Sequence, residues 1–181
     1  MNIIFLDIDG VLNYNSFFND ERDALINSFN EKYFKDKKIF DFEDFDLLAE
    51  RSMLSIDISK LEMVKELALE INYDIVIISS WRNIEYYSFI EEKLKERGLQ
   101  VVGRIEDEIK EDYITRYDRG MGIRNYVASN DVDDFVILDD ETRDYDESLL
   151  KRLIQTNSEI GISKKDIERV KLMCNNKQKI K

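Results

Sequence analysis

Apolar residues along this chain fall in two rhythms. Short, nearly continuous runs occur at Ile3–Leu6, Ile75–Ile78, Val101–Val102 and Phe135–Leu138, with a weaker one at Leu153–Gln155. Runs of that length without polar alternation fit strands covered on both faces, as in a parallel sheet. Between them the spacing lengthens to three and four residues. Leu61, Val64, Ala68 and Ile71 share one helical stripe behind Ser59-x-x-Glu62, which reads as a capping box. Ile84, Tyr87, Ile90 and Leu94 form a second stripe that stops at Gly98, a natural left-handed helix end. A third helix is predicted around Ile123–Ala128. A fourth opens at Ser163, with Asp166 as reciprocal cap and Ile162 and Ile167 stapling the turn. Alternating strands and helices predict a doubly wound α/β domain with a parallel sheet of about five strands and right-handed crossovers.

The first crossover needs only the helix near residues 60–72, so residues 14–58 are surplus and predict a small, mostly helical cap inserted after the first strand. Its aromatic residues (Phe17, Phe18, Phe29, Tyr33, Phe34, Phe40, Phe42, Phe45) suit a miniature core better than a platform for nucleobases. The run Asp41-Phe42-Glu43-Asp44-Phe45-Asp46 reads as a solvated face that would repel a polyanion. Residues 175–181 lack periodicity and read as a disordered tail. The expectation is one domain over residues 1–181 carrying the insertion at 14–58.

Composition narrows the chemistry. With 181 residues, 43% of them hydrophobic, the chain can bury one substantial core. Its 39 acidic and 27 basic residues give a net charge of -12, which disfavours an extended grip on nucleic acid or an anionic membrane. No apolar run reaches 18 residues and no leader pattern opens the chain, so a cytoplasmic, soluble protein is expected. The single Cys174 permits neither an internal disulfide nor a multi-cysteine zinc site. A thiolate phosphatase would need Arg six positions after Cys174, where Ile180 stands, and no glycine cluster, Gly120-Met121-Gly122 included, continues into a Walker loop. The chain has no histidine, so carboxylates must carry acid-base work.

Ligands of doubly wound sheets collect beyond the carboxyl ends of the strands. There this chain offers Asp7, Asp9 and Gly10, then Ser79, Ser80, Trp81 and Arg82, then Asp139 and Asp140, with Arg119 opening the helix before the last pair. Each group alone could be an ordinary turn or surface ion pair. A calcium loop is excluded, because setting Gly10 sixth puts Phe5 first and Ser16 twelfth. Bringing the aspartates together would cost ~4 kcal/mol per pair at 4 Å and an effective dielectric of 20, which a divalent cation relieves. Oxygen donors without nitrogen or sulfur favour magnesium.

In order and placement, IIFLDIDGVLN, IVIISSWR, a basic residue before a helix, and FVILDDE resemble the four motifs of haloacid dehalogenase (HAD) superfamily phosphatases, a three-layer, Rossmann-like fold. Ser79-Ser80-Trp81-Arg82, followed late by Leu153-Ile154-Gln155-Thr156 and Gly161-Ile162-Ser163, further resembles the HAD-like domains of bacterial RNA-repair proteins and, more distantly, polynucleotide kinase-phosphatases. The resemblance implies that Asp7 is a nucleophile forming an aspartyl-phosphate and Asp9 the proton shuttle, whose carboxylate dehalogenases and transport ATPases lack. It implies that Ser79, with Ser80 as runner-up, bonds the phosphoryl group, aided by Gly10 and Arg82. Asp7, the Asp9 carbonyl and Asp139 would hold Mg2+, and Asp140 would ligate it or orient water. The third motif is usually lysine, whereas this chain offers Arg119, with Arg116 and Arg124 as competitors.

The function expected is magnesium-dependent hydrolysis of a phosphomonoester, on a nucleotide or a nucleic-acid terminal phosphate. A phosphotransferase or small-metabolite phosphatase of the same superfamily, and a non-catalytic HAD-like binding module, are the alternatives.

Overall fold

The computed structural model describes residues 1–35, 44–106 and 119–178. Among these, five strands form one parallel sheet: β1 (Asn2–Leu6), β2 (Asp74–Ile77), β3 (Val101–Arg104), β4 (Asp134–Asp139) and β5 (Leu153–Gln155), in the order β3-β2-β1-β4-β5. The pattern of short apolar runs thus predicts the sheet correctly, because strands buried on both faces leave no polar positions within them. Ile4 and Leu6 point into one core cluster and Ile3 and Phe5 into the other. The chain winds from β1 toward β3 on one side, then returns across the sheet to β4 and β5. The reversal leaves a crevice beyond the carboxyl ends of β1 and β4.

Seven α-helices flank the sheet among the described residues: α1 (Asp20–Tyr33), α2 (Phe45–Met53), α3 (Ile58–Ile71), α4 (Tyr87–Glu96), α5 (Arg119–Ser129), α6 (Glu147–Leu150) and α7 (Lys164–Gln178). Buried residues of α2, α3, α4 and α7 join Ile4 and Leu6, whereas Ile123 of α5 and Leu149 of α6 join Ile3 and Phe5. The result is the three-layer arrangement expected. No helix among the described residues is long and apolar enough to cross a membrane.

Local chemistry refines several boundaries. The capping box expected at Ser59 is displaced, because the Asp57 carboxylate already accepts from the Ser59 amide and hydroxyl at 2.8 and 2.7 Å and becomes the N-cap of α3. Asp57 also accepts from the Tyr14 hydroxyl at 2.7 Å. Asp57→Ala is expected to cost about 1–2 kcal/mol of stability, read from the urea midpoint at unchanged slope. The box at Ser163 forms as expected, with Ser163 N–H donating to Asp166 and Asp166 N–H donating back. Gly98 adopts the left-handed conformation after α4. Helix α7 continues to Gln178, so residues 175–178 are helical, and residues 179–181 lie outside the described residues.

The insertion contains a short 3-10 turn (Asn15–Phe17), α1 and α2. Its aromatic residues divide. Phe29, Tyr33 and Phe34 pack on one another, as a private core would. Phe45 instead packs on Tyr86 and Phe89, and Ala49 and Met53 of α2 enter the main core. Residues 14–58 are therefore joined to the rest of the chain through α2 and through Asn15 and Ser16, which bond Ser158 and Glu159, while α1 buries no residue. Phe40, Phe42 and the start of the acidic run lie outside the described residues.

Candidate active site

Asp7 follows β1 directly, and its amide donates to the Leu138 carbonyl at 2.9 Å, which fixes it beside the end of β4. The side chain is 1% exposed. Its Oδ1 accepts from the Ile8 amide at 2.8 Å and its Oδ2 from Arg119 Nη1 at 3.0 Å. The same Nη1 donates to Asp139 Oδ2 at 2.6 Å. One guanidinium nitrogen thus bridges two buried carboxylates, a contact that a lysine ammonium could also make. Arg124, the competitor, pairs with Asp146 and Ser148 instead, and Arg116 lies outside the described residues.

Asp139 is fully buried at the end of β4 and accepts from three donors. Oδ1 accepts from the Glu141 amide at 2.8 Å, while Oδ2 accepts from Tyr145 at 2.5 Å as well as from Arg119. Burial and Asp139 hold the Tyr145 phenol well above its usual range, so it remains a proton donor. Asp140 is only half-buried, and its carboxyl is raised by burial and then by Asp139. Burial pushes the Asp7 carboxyl up to about 8, with Asp139 adding to the rise and Arg119 opposing it. Arg119 loses solvation too, yet its guanidinium is raised because Asp7 and Asp139 outweigh that loss.

An oxygen from each of Asp7, Asp139 and Asp140 lies within 4.8 Å of the others. Three carboxylates at that spacing form a set of hard oxygen donors for a metal ion. Gly10 helps build this corner. At its φ of +71° an added Cβ would lie 2.2 Å from Asp140 Cγ, so the absent side chain is what lets Asp140 approach. Thr156 Oγ1 donates to the Gly10 carbonyl at 2.8 Å and holds the loop down from β5. Gly10→Ala is expected to cost about 1–2 kcal/mol in backbone strain alone and to displace Asp140, lowering the rise in melting temperature on adding Mg2+.

Asp9, in contrast, is exposed. Its Oδ1 accepts from Asn13 Nδ2 at 2.8 Å, and both its oxygens accept from the Trp81 indole N–H. Ser79 is fully buried at the end of β2, and its Oγ accepts from the Trp81 amide at 3.4 Å. Ser80 stands exposed at the start of the following 3-10 turn (Ser80–Asn83). Arg82 is 3% exposed, with Nη1 donating to the carbonyls of Ile78 and Ser79 at 2.6 and 2.8 Å.

Sequence reasoning gave no role to Tyr145, Asn13 or Thr156, the last two standing only inside quoted motifs. Tyr145 reaches Asp139 only through the path of the loop after β4, and Thr156 meets Gly10 across 146 positions of chain, so neither carries a local signal. Asn13, four residues after Asp9 in a glycine-containing turn, had a local one, since Asn side chains bond nearby groups in turns.

No curated protein and no solved structure matches the chain significantly. Residues 3–167 match the family described as the HAD domain in Swiss Army Knife RNA repair proteins. With the parallel sheet, the carboxylates at its switch point and nine-tenths of the chain inside that match, the protein belongs to this family of HAD-superfamily hydrolases.

Proposed function

We propose that the protein is a magnesium-dependent phosphomonoesterase that works through an aspartyl-phosphate on Asp7. The observation that carries this reading is the meeting of Asp7, Asp139, Asp140 and Arg119 at one corner, with Asp9 two residues beyond the nucleophile. An Asp7 oxygen bonds to phosphorus as the bond to the leaving oxygen breaks, and Asp9 gives that oxygen its proton. Water then attacks the same phosphorus, Asp9 takes the water's proton, and phosphate departs with Asp7 restored.

Arg119 offsets charge on the carboxylates and the phosphoryl oxygens. Ser79 donates its hydroxyl proton to no group among the described residues, which suits it to a phosphoryl oxygen. Ser80 offers a backbone amide directly after Ser79, whereas the Gly10 amide already donates to Asn13 Oδ1 at 3.3 Å. Arg82, with its Nη1 on two main-chain carbonyls, supports the Ser79 turn. Asp7 accepts two protein donors and Asp139 three, so Asp140, Asp7 and the Asp9 carbonyl would hold Mg2+ with Asp139 also anchoring Arg119. The ion, when bound, neutralises phosphoryl charge and relieves the repulsion among the carboxylates.

The substrate class we favour is a nucleic-acid terminal phosphate or a nucleotide. The family's description supports it, and the net charge of -12 argues for holding an end over gripping a length of polymer. The test is turnover of p-nitrophenyl phosphate, mononucleotides and 3'- or 5'-phosphorylated oligonucleotides, with and without Mg2+. Release of phosphate only with Mg2+ is expected. Equal release in chelator would overturn the metal requirement, and binding without release on every substrate would overturn catalysis.

A further inference from the structure

Trp81 is the sole tryptophan of the chain. Its ring packs partly on the main core, and its indole Nε1 donates to Asp9 Oδ2 at 3.0 Å and Oδ1 at 3.2 Å. Asn13 Nδ2 donates to Asp9 Oδ1 from the other side of the loop at 2.8 Å. An exposed carboxylate ordinarily samples several rotamers. This one hangs between donors from two strand ends, β1 and β2.

The turn that carries the indole is itself fastened. Arg82 ties down the carbonyls of Ile78 and Ser79, Arg104 Nη1 donates to the Arg82 carbonyl at 2.8 Å, and Ser79 Oγ accepts the Trp81 amide. Water could satisfy an indole N–H at the rim of the core equally well. The bond is therefore not needed to keep Trp81 in place. Its effect falls on Asp9.

We propose that Trp81 is a positioning residue for Asp9, holding the carboxyl group in the one orientation from which it serves the leaving oxygen above Asp7. The inference rests on the acid-base role assigned to Asp9 under the proposed function. Proton transfer needs donor and acceptor within about 2.6–3.2 Å, and a carboxyl free to rotate spends only part of its time there. The dependence on leaving group follows. An alkoxide cannot depart without a proton, whereas p-nitrophenolate can.

Trp81→Phe keeps an aromatic ring and removes the N–H. Turnover of an alkyl phosphate or a mononucleotide is expected to fall roughly 10- to 30-fold, and that of p-nitrophenyl phosphate less than about threefold, with KM unchanged for both. In an Asp9→Ala background the same substitution adds no further loss. Equal losses on both leaving groups, or a raised KM at unchanged kcat, would overturn the proposal. A second readout needs neither turnover nor the Phe variant: because all tryptophan emission comes from Trp81, Asp9→Ala should shift it. Unchanged emission would overturn the contact. Retention of activity by Asp7→Asn would instead bring down the catalytic reading, and the emission result would still decide whether Trp81 holds Asp9.

Discussion

Replacing Asp7 by Asn is expected to abolish phosphate release, a loss on the order of 10⁴-fold or more, because an amide cannot form the phosphoryl-enzyme bond. The second half of that result is thermodynamic. Wild type at saturating Mg2+ should gain about 5–10 °C in melting temperature, the rise that about 2.7 kcal/mol of linkage gives a domain of this size, and Asp7→Asn should lose most of it. Without metal the pH profiles should also differ. The Asp7 carboxyl is raised from 3.8 to about 8, so the folded state holds this proton more tightly than the unfolded chain. Its contribution to stability is complete below about pH 4 and is lost as pH rises to about 8. Asp7→Asn removes that slope, and thermal melts across pH 4–9 would show a flatter profile. The same linkage makes wild-type affinity for Mg2+ rise with pH until Asp7 is deprotonated. A wild-type affinity independent of pH would argue that Asp7 is no ligand.

Arg119→Met carries the second largest expected effect. Asp7 and Asp139 are 1% and 0% exposed, and the bridging nitrogen is the cation between them. Removing one partner of such a buried cluster costs about 3–5 kcal/mol, through the charge left unpaired and not through any intrinsic strength of the bond. The deficit should shrink as pH falls and Asp7 takes up its proton, and it should shrink when Mg2+ supplies the missing charge. Turnover should fall by about 10²–10³-fold even with the metal present, since the phosphoryl oxygens lose a preorganised donor. Arg119→Lys is the discriminating control. Because Nη1 alone makes both contacts, a lysine Nζ can replace it, and stability within about 1 kcal/mol of wild type with activity within about tenfold is expected. A lysine variant as damaged as the methionine variant would mean that the rest of the guanidinium matters.

These effects concentrate on residues legible in the sequence for a plain reason. Asp7, Ser79 and Asp139 each follow an apolar run, and a parallel sheet puts all such positions along one edge. Arg119 was one of three basic residues near the start of α5, and only its position beside β4 separates it from Arg124, which turns to Asp146. Asp139 and Asp140 were equivalent on paper. What distinguishes them is that the first is enclosed by Tyr145, Glu141 N–H and Arg119, whereas the second leans over a glycine that leaves it room.

By itself, the sequence determined the strands, the sheet's parallel character, the helix ends at Gly98 and Ser163, and the set of strand-end residues that could do phosphoryl chemistry. Periodicity, caps and turns are local, and local interactions are written in neighbouring residues. Tertiary structure alone decided that α2 packs on α4 and that Arg119 bridges two buried aspartates. It alone brought Trp81 and Asn13 onto Asp9, and Tyr145 onto Asp139. Each of those contacts except Asn13's and Tyr145's joins separate elements of the fold. Even those two depend on loop conformations that side chains elsewhere in the chain hold in place, as Thr156 holds Gly10, and no window of the sequence contains both partners.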